Sequence, residues 1–161
     1  MRKLIVTVLL LALSGAGPAA AGPGEEADAA YARGDHATAM RYYQELANAG
    51  VAAAQFNLGV MHDFGQGVPK NPLEAARWYR AAARQGHASA QFNLGGMYFD
   101  GQGVPQDHVR AYVWFTLAAI AGAPGASRNR NALAKLLNTE QMAQAQQMAR
   151  DCQARNYAGC D

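Results

Sequence analysis

Along the middle of the chain, helix-forming positions recur three or four residues apart, the spacing of one helix face. Ala54, Leu58, His62 and Gly65 form one such stripe. Ala90, Leu94, Tyr98 and Gly101 form the same stripe again 36 residues later. After each stripe comes Gly-Gln-Gly-Val-Pro. Gly65, Gly67 and their copies are free to take positive φ, and Pro69 and Pro105 cannot continue a helix. The helical pattern then restarts behind Asn71-Pro72 or Asp107. Asn and Asp are good N-caps, and proline at the first helical position loses an N–H that has no partner there anyway. Ala75, Trp78/Tyr79, Ala82 and Gly86 mark the second helix, and Gly86 and Gly122 end it. The predicted unit is helix A, a glycine-rich turn, and helix B.

The unit is copied. Residues 54–89 and 90–125 are identical at 17 of 36 aligned positions, grouped as AQFNLG, Met, GQGVP, Ala, Trp, Ala-Ala and Gly. A period of this length signals stacked supersecondary units that bury their faces on their neighbours. Upstream, residues 25–50 read as a degenerate copy, with a short helix over 25–33, a tight turn at Gly34, and a helix B over 35–49 capped by Asp35. Downstream, Ala126–Leu137 and Thr139–Arg155 read as one more helix pair forming a polar end cap over 126–161, with Thr139 as the N-cap. Gly59 and Gly95 allow close helix approach, with Ala75 and Ala111 expected opposite. Trp78 and Trp114 are expected in the core.

Charge changes the picture at the N-terminus. Arg2 and Lys3 precede an apolar run from Leu4 to Leu13, broken only by Thr7. Helix-weakening residues and Ala19-Ala20-Ala21 follow. This is the order of a secretory signal peptide over 1–21, with cleavage expected after Ala21. The run is too short to span a bilayer, which needs about 20 apolar residues; a retained anchor is the alternative. The full chain has 14 Lys+Arg and 12 Asp+Glu. Removing Arg2 and Lys3 leaves 12 of each, so no basic surface for nucleic acid is indicated. A periplasmic or secreted protein meets oxidising conditions, and the pair Cys152 and Cys160 then reads as a disulfide worth roughly 2–3 kcal/mol. The rival role, as metal ligands, needs about four clustered donors, and no histidine lies nearby.

Candidate chemistry is sparse. His36, His87 and His108 fall in expected solvated first-turn positions, and His62 is expected to pack partly buried in helix A. No H-E-x-x-H is present. Ser89 and Ser127 sit in neither G-x-S-x-G nor S-x-x-K. The cysteines are not spaced as C-x-x-C, and the glycine loop lacks G-K-[ST]. No enzyme, cofactor or metal is expected.

The pattern A-x-x-x-L-G-x-x-Y-x-x-G-x-G-V-x-x-(D/N)-x-x-x-A-x-x-W-(Y/F)-x-x-A-A-x-x-G resembles the Sel1-like repeat, a relative of the tetratricopeptide repeat. The resemblance covers 54–125 almost completely and 35–53 with a gap; His62 departs from the usual aromatic. It implies an all-α solenoid of stacked helix-turn-helix units that binds another protein or peptide. In such solenoids the A helices line the concave face. By that analogy the binding residues are Phe56, Asn57, Val60, Asp63 and Phe64 in one copy. Phe92, Asn93, Phe99 and Asp100 are those in the next, and Tyr31 and Asp28 extend the row. The asparagines could hold a peptide backbone, or tie helix to helix; the phenylalanines could pack between helices instead. Cysteine-rich relatives carry Cys-x7-Cys bridges, as at Cys152–Cys160. Some of them have been labelled β-lactam hydrolases, which leaves a weak hydrolase or a peptidoglycan-binding envelope factor as alternative functions.

Overall fold

The computed structural model describes residues 22–160; the predicted signal peptide and its cleavage point lie outside them. Among the described residues there are eight helices and no strand. They are α1 (Pro23–Ala32), α2 (His36–Asn48), α3 (Ala52–Phe64), α4 (Pro72–Ala83), α5 (Ala88–Asp100), α6 (His108–Ile120), α7 (Ala126–Leu133) and α8 (Thr139–Ala154). From α1 to α6 each helix packs on the next in chain order, so the molecule is an all-α solenoid.

Local chemistry sets the helix ends as expected. The Asp35, Asn71 and Asp107 side chains accept from the N–H of Thr38, Glu74 and Arg110, satisfying donors that a helix start leaves unpaired. Gly65 and Gly101 close α3 and α5 in the left-handed conformation, at φ 71° and 70°. The loop then folds back: the N–H groups of Asn71 and Asp107 donate to the carbonyls of His62 and Tyr98, both at 2.8 Å. One glycine role was not legible. Gly67 and Gly103 press against the first residue of the preceding helix B. A Cβ on Gly67 would lie 2.7 Å from His36 Cβ, and one on Gly103 would lie 2.1 Å from the Pro72 carbonyl oxygen.

Between helices the packing departs from several expectations. The surface facing Gly59 is the Tyr79 ring, not Ala75, and Phe115, not Ala111, faces Gly95. A flat ring laid on a glycine fills the gap between helices more completely than a methyl group does. Trp114 is fully buried, but Trp78 is only half-buried, and Tyr79 takes the interior position beside it. Thr139 is the first residue of α8, and its N-cap is Asn138, in a capping box with Gln141. The last two helices are not a hairpin. Both α7 and α8 dock on α6 and barely meet each other. With only eight residues, α7 is too short to offer α8 a full flank.

Two buried glutamines tie each A helix to the helix before it. Gln55 donates to the Ala47 carbonyl and Gln91 to the Ala83 carbonyl, both at 3.2 Å. Each carbonyl lies in the last turn of a helix, where it also accepts from the backbone N–H of Gly50 or Gly86 at 3.0 Å. Gln55 Oε1 in turn accepts from Gln85 Nε2 at 2.8 Å. The position 36 residues after Gln85 is Ala121, and the buried Gln91 Oε1 has no partner. Ala121→Gln should therefore stabilise the fold by about 1 kcal/mol by supplying the missing donor. A melt at or below the wild-type temperature would refute this.

Candidate functional site

A cleft of about 190 Å³ runs along the A helices. Its lining includes Asp63 and Phe64 from α3, Phe92, Asn93 and Asp100 from α5, Phe115 from α6 and Asn129 from α7. Five residues expected on the concave face thus come together. Phe64 stands open to solvent, at 68 % exposure.

Others are engaged elsewhere. Phe56 lies between Tyr79 and His87, with its ring stacked on the imidazole at 4.7 Å. Val60 packs half-buried on the main core. Phe92 lines the cleft with part of its ring and packs the rest on Phe115 and on the small cluster around Ala118. Tyr31 donates its hydroxyl to Gln66 Oε1 at 2.7 Å, tying α1 to the next repeat's loop.

Polar residues form rungs from helix to helix, and Asp63 and Asn93 of one rung also line the cleft. The Tyr43 hydroxyl donates to Asp28 at 2.7 Å, and the Asn57 amide reaches the same hydroxyl. One repeat on, the Tyr79 hydroxyl donates to Asp63 at 3.4 Å, with Asn93 alongside. Each rung thus runs from an Asp on helix A to a Tyr on helix B and an Asn on the next helix A. Burial, first, and the neighbouring carboxylate, second, push the Tyr43 hydroxyl well above the ordinary tyrosine range. Burial leads at Tyr79 too, again with its Asp beside it. Both tyrosines therefore stay neutral donors.

The histidines are less solvated than their first-turn positions imply. His36 meets Tyr31 edge-on and His108 stacks on Phe99. His87 is the N-cap of α5, its Nδ1 accepting from the Ala90 N–H at 3.2 Å. Burial lowers its pKa from the ordinary 6.5. Protonation would also remove the acceptor that caps the helix. Stability linked to His87 is therefore complete above pH 6.5 and is lost as pH falls through that value toward the lowered folded one. His87→Asn keeps a capping acceptor without titrating. The stability of the variant should fall less than that of wild type on acidification over this window, and equal slopes would count against the assignment.

Cys152 and Cys160 form the expected disulfide, and both are buried in the main core. Among the described residues no group of three His, Cys, Asp or Glu could hold a metal ion, and no helix is long and apolar enough to cross a membrane.

The model of the Sel1 repeat matches residues 27–51, 52–87 and 88–122, which is more than half of the chain. The chain belongs to the Sel1 repeat family. Solved Sel1 structures agree. The crystal structure of c5321, a protective antigen present in uropathogenic Escherichia coli strains and displaying an SLR fold, superposes with a TM-score of 0.77 at 34% identity. That match covers 85% of this chain and 32% of the antigen, so the chain spans about a third of that relative. A Sel1 repeat protein from Oxalobacter formigenes superposes at 0.63 with 33% identity, covering 68% of this chain and 86% of that one. None of the curated proteins matches. The Sel1 match stops at residue 122, before α7 and α8, where the packing also leaves the hairpin pattern.

Proposed function

We propose that this Sel1 protein is a binding adaptor of the bacterial cell envelope that holds a protein or peptide along the α3–α5–α7 cleft. Sel1 repeats generally mediate protein–protein interaction. The observation that carries the reading is the half-polar, half-aromatic cleft itself, in which the open Phe64 ring stands beside Asp63 and Asp100. Exposed aromatics next to acceptors suit an apolar side chain and a polypeptide backbone. The buried disulfide and the signal-like N-terminus support export.

In-cell photo-crosslinking tests the proposal. A photo-reactive residue at Phe64 should capture a discrete protein adduct, whereas one at the exposed Arg77 of α4 should not. No adduct at Phe64, or the same adducts at both positions, would overturn it.

A further inference from the structure

The third rung differs from the first two. Tyr43 and Tyr79 are followed, 36 residues on, by Phe115. The dipeptide Asp63-Phe64 is inverted to Phe99-Asp100, so the position of the rung's carboxylate holds a phenyl ring. The third member is kept: Asn129 stands 36 residues after Asn93. Its side chain makes no hydrogen bond among the described residues, since no hydroxyl is left to meet it. In place of a closed polar tie there is a cavity of about 460 Å³ lined by Phe99, Phe115, Asn129, Leu133, Lys135 and Leu136. It is open because α7 ends at Leu133, so Leu136 stands 59 % exposed at its lip. It shares Phe115 and Asn129 with the cleft that holds Asp63 and Asp100. No cation is paired with either carboxylate among the described residues.

We propose that this altered rung is a side-chain pocket for a polypeptide segment that carries a bulky aliphatic or aromatic residue close to a lysine or arginine. The apolar side chain enters between Phe99, Phe115 and Leu136. The freed Asn129 amide meets the peptide backbone, to which it can both donate and accept. The basic residue lies over the adjoining cleft, where Asp100 and Asp63 attract it, and away from Lys135, the charged residue of the pocket lining. The proposal rests on the binding reading above and specifies its ligand.

The test is an NMR titration of the isotope-labelled protein with the capped peptide Ser-Gly-Lys-Gly-Leu-Gly-Lys-Gly-Ser. Two control peptides carry Ala for Leu, and Glu for both Lys. Resonances of Phe99, Leu136 and the Asn129 side-chain amide should move. Affinity should fall about tenfold or more with the Ala peptide, as expected for an anchor side chain withdrawn from an apolar pocket. It should fall with the Glu peptide as well. The double variant Phe99→Asp/Phe115→Tyr rebuilds the rung of the earlier repeats. It should keep the helical spectrum and lose the binding. If that variant fails to fold, Leu136→Glu at the exposed lip should abolish binding in its place. The pocket is refuted if its resonances stay still, if the Ala peptide moves them equally, or if neither variant weakens binding. Shifts confined to Phe64 and Asn93 would refute the pocket but leave the cleft reading standing. Concentration-dependent shifts at Phe99 and Leu136 without peptide would assign the pocket to a second copy and also overturn the proposal.

Discussion

Gly103→Ala is expected to destabilise the protein by about 3–5 kcal/mol, combining a left-handed backbone penalty with overpacking. Gly103 has φ 68°, and an added Cβ would lie 2.1 Å from the Pro72 carbonyl oxygen and 2.9 Å from the Leu73 nitrogen. Those atoms belong to the start of α4, which Asn71 caps. They cannot turn aside as a side-chain tip can. Relief requires the loop after α5 to lift off α4, separating two repeats. The comparison is Gly101→Ala, which carries a similar φ of 70° but meets Gln106 Cβ at 3.2 Å. It should cost only the conformational penalty, about 1–2 kcal/mol. Denaturant melts of the two variants distinguish strain from collision. Equal losses would mean that the repeat-to-repeat approach contributes nothing beyond backbone preference.

Removing the disulfide, as Cys152→Ala/Cys160→Ala, is expected to cost roughly 2–3 kcal/mol, the loop-closure value for so short a ring. The melting temperature should fall by on the order of 10 °C. The bridge turns the chain back after α8, through Asn156 and Tyr157 in left-handed conformations at φ 50° and 66°. This brings the Tyr157 ring over Gly86, where an added Cβ would sit 3.0 Å from it. The cap thus reaches past α6 to the α4–α5 corner, and loosening it frees a contact with a different repeat. Amide exchange should rise around Gly86 as well as in α8. Faster exchange confined to residues after Cys152 would show that the hook does not brace the repeats.

The two cysteines announced their bond through spacing and the signal-like N-terminus; the tail's path to Gly86 had no signal in the sequence. The same division holds in the cleft. Asp63, Phe64, Phe92, Asn93 and Asp100 were legible as cleft residues because a repeated helix A presents the same face in each copy. Asn129 was missed, since α7 has lost the motif around it. Its place 36 residues after Asn93, read together with Phe115 in the place of Tyr79 and the inverted Phe99-Asp100, is the signal that could have pointed to it. His87 was misplaced because its environment depends on Phe56, a full helix away.

By itself the sequence determined the hairpin unit, its 36-residue period, and nearly every helix start and stop. Caps, left-handed glycines and proline breaks act over three or four residues, and local chain geometry is enough to read them. Tertiary structure decided which ring of the Trp78-Tyr79 pair turns inward, which glycines meet backbone, and where the polar rungs give way to an open apolar pocket. Those outcomes depend on distances between residues on different helices, which exist only once neighbouring repeats have stacked.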